Sequence, residues 1–466
     1  MPTIRLFKQY IRIPYVLLAA IDGLLLFACL YAGSLIRFGN LDQADAFMGD
    51  VMPRAFMFAL FMLVGMSAMG LYQYQRAEKL GQFFLRLGVA FTIGWLGLTV
   101  VYYVLPDLYS GRSVLLISLV TGVAAITIFR PIYFRIMDVD GLRRRTIVMG
   151  AGDSAANLLE TMQLANKSGL KLTGFVAAEN QSVSIPENRL LNVGKGQLAN
   201  YCQRERIEEI VLAADDRRKA FPMRDLLECK LRGIAIVEQM TFFEREQGRV
   251  RLDLLYPGWL VFSDGCSRNV FRTVSKRAFD VAASTSVLIL SLPIMLLTAL
   301  LIKLEDGLGA PILYRQQRVG ERGGLFDVLK FRSMSVNAEK DGKAQWAQKN
   351  DPRITRLGSF IRRTRIDELP QVFNVLKGEM SFVGPRPERP QFVSQLGEAI
   401  PFYDERHAVK PGITGWAQIK YPYGDSIEDG RSKLEYDLYY VKNHNLMLDL
   451  YVMMTTLEVV LFGKGR

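Results

Sequence analysis

The sequence predicts a membrane protein with three parts: a four-helix transmembrane bundle, a Rossmann-like α/β domain, and an α-rich C-terminal domain anchored by a re-entrant membrane helix. Three observations lead to this fold class. Four apolar segments, each long enough to cross a bilayer, fill the first 140 positions. Alternating strand and helix patterns follow them. A fifth apolar segment with basic flanks then precedes a region dense in Arg, Gly and Pro motifs.

The length and composition support this division. The chain has 466 residues, which is too long for one ordinary domain, and 50% of them are hydrophobic. The net charge of +12 suits an anionic partner such as anionic lipid, a phosphorylated substrate or nucleic acid. Four dispersed cysteines and two histidines, His407 and His444, argue against a disulfide framework, a structural zinc site and a His-based triad.

The N-terminal region, residues 1–140, is interpreted as four transmembrane helices. Each segment has the roughly 20 residues that a helix needs to span about 30 Å of hydrocarbon. Asp22 lies inside the first segment, where it is either a charge in the bundle interior at a helix contact or part of a polar pathway. The four segments are approximately Pro14–Ile36, Val51–Tyr72, Phe83–Leu105 and Ser113–Phe134.

The charges of the loops predict the orientation of this bundle. The first loop is acidic, whereas basic residues mark the N-terminus, the second loop and the region after the fourth segment. By the positive-inside rule, the basic regions are cytoplasmic, so four crossings return the chain to the cytoplasm. The basic residues are Arg5, Lys8, Arg12, Arg76, Lys79, Arg86, Arg135, Arg143, Arg144 and Arg145.

Residues 141–240 have the βαβ rhythm of a doubly wound parallel sheet. Short β-type runs alternate with amphipathic helical stretches, one of which follows a glycine-rich turn and ends near Ala165. The predicted strands are Thr146–Met149, Lys171–Ala178, Glu208–Ala213 and Ile234–Val237, and the second predicted helix is Asp225–Arg232.

The turn after the first of these strands matches a G-x-G-x-x-A pattern, which begins at Gly150 and Gly152. Such a turn binds the pyrophosphate of a dinucleotide when it opens a helix, and Glu179 is a candidate ribose-binding acid. The alternative is a Rossmann-like domain that keeps the tight turn and binds nothing. A Tyr-x-x-x-Lys pair is absent from residues 140–270, which argues against a short-chain sugar-nucleotide dehydratase.

Residues 241–275 are interpreted as a connector, and residues 276–303 as the re-entrant membrane helix. Basic residues flank the apolar run on both sides, so both of its ends are predicted to be cytoplasmic. Pro293 lies near the middle of the run and removes a backbone hydrogen bond. A helix that breaks at Pro293 and returns satisfies both observations. The alternative is a fifth transmembrane helix, kinked at this proline.

Adjacent carboxylates, Asp367 and Glu368, are the strongest catalytic candidates in the C-terminal domain, residues 304–466. A carboxylate is ionised at neutral pH and can attack phosphorus without a general base. Mutual repulsion of two neighbouring carboxylates would be relieved by Mg²⁺, which binds one or two carboxylates together with substrate phosphates. The alternative is a pair of acids favoured by the dipole at the start of a helix.

Several cations near these acids are candidate substrate-binding groups. Lys330, Arg332 and Arg362 could neutralise a diphosphate and its transition state. Arg386 lies between Pro385 and Pro387, whose fixed φ angles present its guanidinium with little entropy loss. Arg318 is a further candidate in this set. Arg363 and Arg365 belong to the arginine cluster before the acids, and they could equally form a face in contact with solvent or lipid headgroups.

Three longer motifs carry a resemblance to a known family. They are D-E-L-P-Q from residue 367, F-N-V-L-K-G-x-M-S-F-V-G-P-R-P from residue 373, and K-P-G-I-T-G-W-A-Q from residue 410. With these motifs the chain resembles the bacterial polyprenyl-phosphate sugar-1-phosphate transferases, which are monotopic phosphoglycosyl transferases. The whole chain resembles their large members, which add four membrane helices and a Rossmann-like domain and initiate exopolysaccharide or O-antigen synthesis.

The resemblance implies a two-step transfer. Asp367 would attack the sugar-linked phosphorus of a UDP-sugar and release UMP, and undecaprenyl phosphate would then take the sugar-1-phosphate. Glu368 would help to hold Mg²⁺. The expected partners are these two substrates and membrane lipid, without nucleic acid, and a homodimer is one option. The expected location is the bacterial inner membrane, with the catalytic domain on the cytoplasmic face.

Two other functions are compatible with parts of the sequence. One is a nucleotide-sugar-modifying oxidoreductase whose C-terminal part is only an anchor, which the missing Tyr-x-x-x-Lys pair disfavours. The other is a non-enzymatic scaffold or regulator of polysaccharide export, which the intact acid pair and the Pro-Arg-Pro run disfavour. The identity of the sugar is not fixed by the sequence.

Overall fold

A computed structural model describes most of the chain and divides it into two compact units, Met1–Gln247 and Gly248–Arg466, called here the N-terminal and C-terminal units. The residues described are 3–6, 9–72, 80–136, 144–164, 170–177, 183–194, 196–213, 215, 222–255, 270–307, 309–335, 353–421, 424 and 426–462.

The N-terminal unit begins with a β-hairpin of β1 (Thr3–Leu6) and β2 (Gln9–Arg12) and continues into long apolar helices. These helices confirm the four predicted apolar segments, and a short helix that the sequence did not predict, α2, lies in the first loop. The helices are α1 (Ile13–Phe38), α2 (Leu41–Met48), α3 (Val51–Ala68), α4 (Leu80–Val104) and α5 (Arg112–Ile136).

A buried ion pair joins the first and last of these apolar helices. Asp22 on α1 is fully buried, and its Oδ2 lies 2.9 Å from Nη2 of Arg130 on α5. Arg130 also donates to the backbone oxygen of Leu71, and the Tyr72 hydroxyl donates to Asp22. Because a charge inside a membrane bundle is costly unless it is paired, this contact fixes how α1 and α5 pack. The predicted helix contact at Asp22 is therefore confirmed.

The rest of the N-terminal unit contains a parallel sheet with the strand order β4-β3-β5-β6, which confirms the predicted α/β domain. Glu179, the predicted ribose-binding acid, lies outside the described residues. The elements are β3 (Arg144–Met149), α6 (Asp153–Leu164), β4 (Leu170–Val176), α7 (Leu198–Arg204), β5 (Glu209–Leu212), α8 (Met223–Leu231) and β6 (Ala235–Glu238).

The start of the predicted connector is a helix of this same unit, α9 (Gln239–Gln247). Its Arg245 pairs with the fully buried Glu209 of β5, and its Phe242 and Phe243 are buried. These residues are polar and aromatic without an uninterrupted apolar run, so the sequence suggested a linker. Their burial and pairing instead fix α9 to the edge of the sheet.

The C-terminal unit contains α10 (Val270–Asp306), the longest of the described helices, which includes Pro293. Together with α1, α3, α4 and α5, it is one of five described helices that are long and apolar enough to cross a membrane. The chain is therefore a membrane protein. The predicted break at Pro293 does not divide α10 into two helices, because a proline removes only one intrahelical hydrogen bond and a helix can continue through it.

Both ends of α10 pack against the same globular part. Near the start, Asp280 accepts hydrogen bonds from Ser381 Oγ and from the backbone nitrogen of Phe382, each at 2.9 Å. Near the end, Met295 and Ile302 belong to a buried cluster with Phe331 and Ile361. The buried side chains form one stripe along the helix: Asp280, Ser284, Ser291, Met295, Thr298 and Ile302.

The globular part combines short helices with two small sheets, an antiparallel hairpin of β7 and β8 and a parallel pair of β9 and β10. The elements are β7 (Leu313–Val319), β8 (Leu325–Phe331), α11 (Arg356–Arg363), α12 (Gln371–Lys377), β9 (Ser381–Val383), α13 (Pro390–Ala399), β10 (Gly412–Thr414), α14 (Trp416–Lys420), α15 (Ile427–Asn443) and α16 (Leu446–Phe462).

Candidate active site

A sharp turn between α11 and α12 holds the two acidic residues. Arg365 adopts a left-handed conformation, with φ of 60° and ψ of 16°, directly before the short 3-10 helix Ile366–Glu368. A side chain with a Cβ rarely takes this conformation, so it costs about 1 kcal/mol or more and occurs most often at functional sites. Here it redirects the chain so that Asp367 turns into the interior, where only 8% of its surface is exposed.

Glu368 lies among three cations. Its Oε1 is 3.2 Å from Lys330 Nζ, 3.1 Å from Arg386 Nη2 and 3.7 Å from Arg365 Nη1. Burial by itself raises the pKa of Glu368, but the charges of Lys330, Arg386 and Arg365 outweigh it and hold this pKa well below its usual range. Glu368 is therefore a permanent anion, already neutralised by the protein.

Asp367 has the opposite environment. Its Oδ1 is buried without a hydrogen-bond partner among the described residues. Burial raises the pKa of Asp367, the neighbouring charge of Glu368 raises it further, and Lys330, Arg362 and Arg365 oppose the increase. A buried polar atom without a partner is costly, and in native structures it often marks a place where a ligand binds.

The β7–β8 hairpin carries Lys330 and a further cation of the site, Arg318. Tyr314 and Lys330 are opposite each other in the register, so Lys330 lies on the same face of the hairpin as Tyr314 and Arg318. Burial lowers the pKa of Lys330, and Glu368 opposes that change. Arg318 Nη1 donates to the backbone oxygen of Pro387 at 3.0 Å, and burial lowers the pKa of Arg318 to about 10.

The Pro-Arg-Pro segment is fixed from a second side by the buried Arg406. Nη2 of Arg406 donates to the backbone oxygen of Arg386 at 2.9 Å and lies 2.8 Å from Oδ2 of Asp437. The guanidinium of Arg406 therefore pairs with the buried carboxylate of Asp437 while it holds the backbone of Arg386. Arg406 thus positions Arg386, which in turn reaches Glu368.

The structure brings together most of the predicted site residues. Asp367, Glu368, Lys330 and Arg386 form one cluster, and Arg318 joins it through Pro387 and through its charge. Pro385 has a backbone role, since its oxygen accepts a hydrogen bond from Gly412 at 2.9 Å.

Two predicted cations and one predicted proline have other surroundings. Arg362 acts on Asp367 through its charge, and the described structure gives it no hydrogen bond to either acid. Arg332 donates from Nε to the backbone oxygen of Pro311 at 2.9 Å, and no described contact joins it to Asp367 or Glu368. Pro293 lies within α10.

Sequence reasoning missed the roles of Arg365, Arg406 and Asn374. The sequence leaves Arg365 either in the arginine cluster or on a face in contact with solvent or lipid headgroups, and the structure places its Nη1 3.7 Å from Oε1 of Glu368. Asn374 on α12 is fully buried, accepts a hydrogen bond from the backbone nitrogen of Leu329 at 3.0 Å, and donates to the backbone oxygen of Asp327 at 2.7 Å. It therefore fixes the strand that carries Lys330 to the helix that follows Asp367. Its only signal in the sequence was its place inside a long motif.

The acid pair partly suits a magnesium ion. Mg²⁺ keeps several waters and takes only one or two carboxylates together with substrate phosphates, and the buried, unpartnered Oδ1 of Asp367 is one such ligand. All three ionic contacts of Glu368 fall on Oε1. Among the described residues, no group of three or more His, Cys, Asp or Glu side chains could enclose a metal without substrate.

Two family models match this chain. The model described as bacterial sugar transferase covers residues 271–463, which include the whole acid and cation cluster. The model described as CoA-binding domain covers residues 67–219, which include the first three strands of the parallel sheet.

Relatives agree with the first model. UDP-N-acetylgalactosamine-undecaprenyl-phosphate N-acetylgalactosaminephosphotransferase of Aeromonas hydrophila is 44% identical over 242 residues, which are 52% of this chain and 56% of that protein. The exopolysaccharide production protein PSS of Rhizobium leguminosarum is 42% identical over 201 residues, 41% of this chain and 98% of the relative. A putative undecaprenyl-phosphate N-acetylgalactosaminyl 1-phosphate transferase of Bacillus subtilis is 52% identical over 131 residues, 28% of this chain and 72% of that protein.

The chain belongs to the bacterial sugar transferase family. This finding confirms the resemblance that the three motifs carried. The match with the Aeromonas hydrophila relative spans about half of that protein's length. The names of the relatives give no support to a homodimer.

Proposed function

We propose that this chain is an undecaprenyl-phosphate glycosyl-1-phosphate transferase, which moves a sugar-1-phosphate from a UDP-sugar to undecaprenyl phosphate. The observation that carries the proposal is the unequal pair of acids. Glu368 is neutralised by Lys330 and Arg386, whereas the adjacent Asp367 keeps a buried oxygen without a partner. Such a pair separates a nucleophile from a charge-holding group.

In the first step, a carboxylate oxygen of Asp367 forms a bond to the sugar-linked phosphorus of the UDP-sugar. The phosphorus–oxygen bond to the uridine monophosphate breaks, and UMP leaves with the electron pair. Because burial raises the pKa of Asp367, its carboxylate is more basic than an ordinary aspartate and a better nucleophile. Lys330 and Arg386 lie where they would offset the charge that develops on the diphosphate.

In the second step, a phosphate oxygen of undecaprenyl phosphate attacks the same phosphorus. The bond to Asp367 breaks, and the aspartate leaves as a carboxylate, which regenerates the site and gives undecaprenyl-diphosphate-sugar. No proton has to move in either step. A bound Mg²⁺ would add Lewis-acid stabilisation of the phosphoryl oxygens. Asp367, with help from Glu368, would hold that ion together with the substrate phosphates.

The lipid substrate has its phosphate at the headgroup level, so the active site must lie at the same depth. Two observations support a re-entrant placement of α10 in the cytoplasmic leaflet of the inner membrane. The start and the end of α10 both contact the same globular part, through Asp280 and through Ile302. Basic residues flank the apolar stretch on both sides. In this role the enzyme would catalyse the first membrane step of exopolysaccharide or O-antigen synthesis.

The test is UMP release by the full chain in native membranes, measured with undecaprenyl phosphate, Mg²⁺ and a panel of UDP-sugars. We expect one or a few UDP-sugars to release UMP, and Asp367→Asn to abolish release because an amide cannot attack phosphorus. Radiolabel from the sugar phosphate should stay on the unmodified protein after acid quench and be absent from the variant. Turnover of Asp367→Asn near the unmodified rate would contradict the covalent mechanism.

The matched control is Asp404→Asn, which makes the same acid-to-amide change in the same unit. The side chain of Asp404 is 82% exposed and lies 3.8 Å from His407, away from the acid pair in the chain. We expect this variant to keep normal UMP release. Glu368→Gln should be inactive but should still be membrane-bound and folded.

A further inference from the structure

The parallel sheet of the N-terminal unit has the place at which such folds bind phosphate-bearing ligands. The strand order β4-β3-β5-β6 puts β4 on one side of β3 and β5 on the other, so the winding reverses between β3 and β5. Ligands of doubly wound sheets bind outside the carboxyl ends of the strands at this reversal. Gly150 follows β3 there with a φ of 125°, and α6 begins three residues later.

A carboxylate of the same domain already lies at this position. Oδ2 of Asp215 accepts a hydrogen bond from the backbone nitrogen of Asp153 at 3.1 Å, and Oδ1 accepts one from the backbone nitrogen of Ser154 at 2.7 Å. Asp215 follows β5, on the other side of the reversal. Its two oxygens therefore take the two amides at the start of α6 that a pyrophosphate would use.

Two further contacts involve the start of α6, where Asp215 binds. Asp153 places a second carboxylate at the same helix start, and its Oδ1 accepts a hydrogen bond from Ser184 Oγ at 2.7 Å. The backbone oxygen of Ser154 accepts a hydrogen bond from Gln239 Nε2 at 2.9 Å, which connects the helix start to α9. A phosphate group brought here would meet two carboxylates at close range.

We infer that Asp215 is an internal ligand of this Rossmann-like domain and closes its anion site to CoA and to dinucleotides. The residues present therefore do not fit the group that the description CoA-binding domain implies. In this chain the first two amides of α6 bind Asp215, which connects α6 to the segment after β5. This inference concerns the N-terminal unit alone and stands apart from the proposed transferase activity.

The test is hydrogen exchange of the full chain in detergent, read by mass spectrometry on peptides that cover residues 150–158. The variants are Asp215→Ala and Asp215→Asn, and the control is Asp153→Asn, which removes one charge at the same helix start. We expect both Asp215 variants to exchange the first α6 amides about tenfold faster, the order of one lost hydrogen bond to a charged acceptor. The control keeps both hydrogen bonds to Asp215, so its amides should exchange more slowly than those of the Asp215 variants. Peptides from β3 should be unchanged in every variant, which shows that the sheet is folded.

Added ligands test whether Asp215, besides binding the first amides of α6, also excludes phosphate-bearing ligands. CoA, NAD⁺ and pyrophosphate at about 1 mM should leave the unmodified chain unchanged and should restore protection to Asp215→Ala. Saturable protection of residues 150–158 by CoA or NAD⁺ in the unmodified chain would overturn the inference. Unchanged exchange in both Asp215 variants would show that Asp215 is not the ligand. Faster exchange that no ligand reverses would overturn the claim that Asp215 is what excludes them.

Discussion

At the scale of single residues, two adjacent carboxylates have different environments because the turn at Arg365 points them in different directions. Glu368 lies 3.2 Å from Lys330 and 3.1 Å from Arg386, and these cations hold the pKa of Glu368 well below its usual range. Asp367 turns into a buried space without a partner for its Oδ1, and its pKa is raised. Glu368 is thus a fixed charge, whereas Asp367 is the acid that would be stabilised more by binding an electrophile or a cation.

The acidic limb of the pH profile should report the pKa of Asp367. Burial and Glu368 raise this pKa, and the charge of Arg362 lowers it. Arg362→Gln removes a lowering contribution, so the pKa rises and a smaller fraction of Asp367 is ionised at any acidic pH. We expect the acidic limb of kcat/KM for UMP release to move to higher pH. Arg363→Gln, the same change one position away, should leave it in place, and equal shifts in both variants would contradict the assignment.

Arg406 is a buried charge that supports the site through its contacts with Arg386 and Asp437. Burial raises the pKa of Asp437 to about 6, and the ion pair with Arg406 opposes that rise. Arg406→Met leaves this carboxylate buried and alone, which should cost about 3 to 5 kcal/mol of stability. The double change Arg406→Met with Asp437→Leu should recover most of that loss.

Comparison of the single and the double variant separates stability from positioning in this pair. The folded fraction in detergent after a heating series gives the stability, and UMP release gives the activity. Activity should stay low in both variants, because the backbone oxygen of Arg386 loses its donor in each. Full activity in the double variant would show that Arg406 is needed only for folding.

Residues that carry a local signal in the sequence were predictable, and those that depend only on distant contacts were not. The adjacent acids and the Pro-Arg-Pro segment carry their chemistry within three positions. Asn374 bonds to Asp327 and Leu329, and Arg406 bonds to Arg386 and pairs with Asp437. Nothing in local composition or spacing predicts such contacts, because they depend on how the hairpin and helices fold together.

At the scale of elements, α10 combines a length and a burial pattern that a simple span does not need. Its 37 residues would extend for roughly 55 Å, against about 30 Å of hydrocarbon. The buried stripe from Asp280 to Ile302 packs against the globular part at both ends, and large apolar side chains such as Ile289 and Leu290 are 66% and 77% exposed. This pattern suits a helix that contacts lipid on one side and protein on the other.

Cysteine labelling from one side of the membrane tests the placement of α10. Glu398→Cys lies on the exposed face of α13, in the globular part that both ends of α10 contact. The described native cysteines are buried, so a background with only Cys266 replaced should label weakly. We expect a membrane-impermeant maleimide to label Glu398→Cys only after the inner membrane is opened.

The matched site for this experiment is Gln43→Cys on α2, in the acidic loop that the positive-inside rule puts outside. It should be labelled in intact spheroplasts. Labelling of Glu398→Cys in intact spheroplasts would contradict the re-entrant placement and favour a full span. Pro293→Leu should show whether the proline is needed, since a straighter helix would favour the span.

Long elements with a strong apolar or alternating pattern were the predictable part of the fold. The four N-terminal helices and the strands of the Rossmann-like domain follow the predicted segments within a few residues. The β7–β8 hairpin was missed, because charged and polar residues such as Arg315, Gln317 and Asp327 interrupt its hydrophobic pattern.

At the scale of the whole molecule, the C-terminal unit begins before the family match does. The unit starts at Gly248, whereas the sugar transferase model starts at residue 271. The segment between them includes a short strap, residues 248–255, that packs on α14 and α15. Trp416 Nε1 donates to the backbone oxygen of Gly248 at 2.6 Å, and Arg249 pairs with Glu435 at 3.1 Å.

The strap also satisfies a buried acid. Burial raises the pKa of Glu435, and Arg249 and the backbone nitrogen of Leu252 oppose this change. The Leu252 nitrogen lies 3.2 Å from Oε1 of Glu435, and the side chain of Val250 is fully buried. The strap therefore contributes both an apolar contact and the partners of a charge, although every catalytic candidate lies beyond it.

Truncation measures that contribution. A fragment of residues 248–466 and one of residues 270–466 both contain α10 and the acid pair, so both should release UMP in membranes. The shorter fragment leaves Glu435 and the Trp416 N–H without partners and exposes the site of Val250. We expect it to lose about 3 kcal/mol and to inactivate at a temperature roughly 10 °C lower. Gly248→Ala in the full chain should act in the same direction, because its Cβ would lie 2.8 Å from Trp416 Cζ2. Gly323→Ala has a similar φ of 77° and no atom within 4 Å of its Cβ, so it controls for backbone strain alone. Equal inactivation temperatures for the two fragments would show that the strap only follows the catalytic part and does not stabilise it.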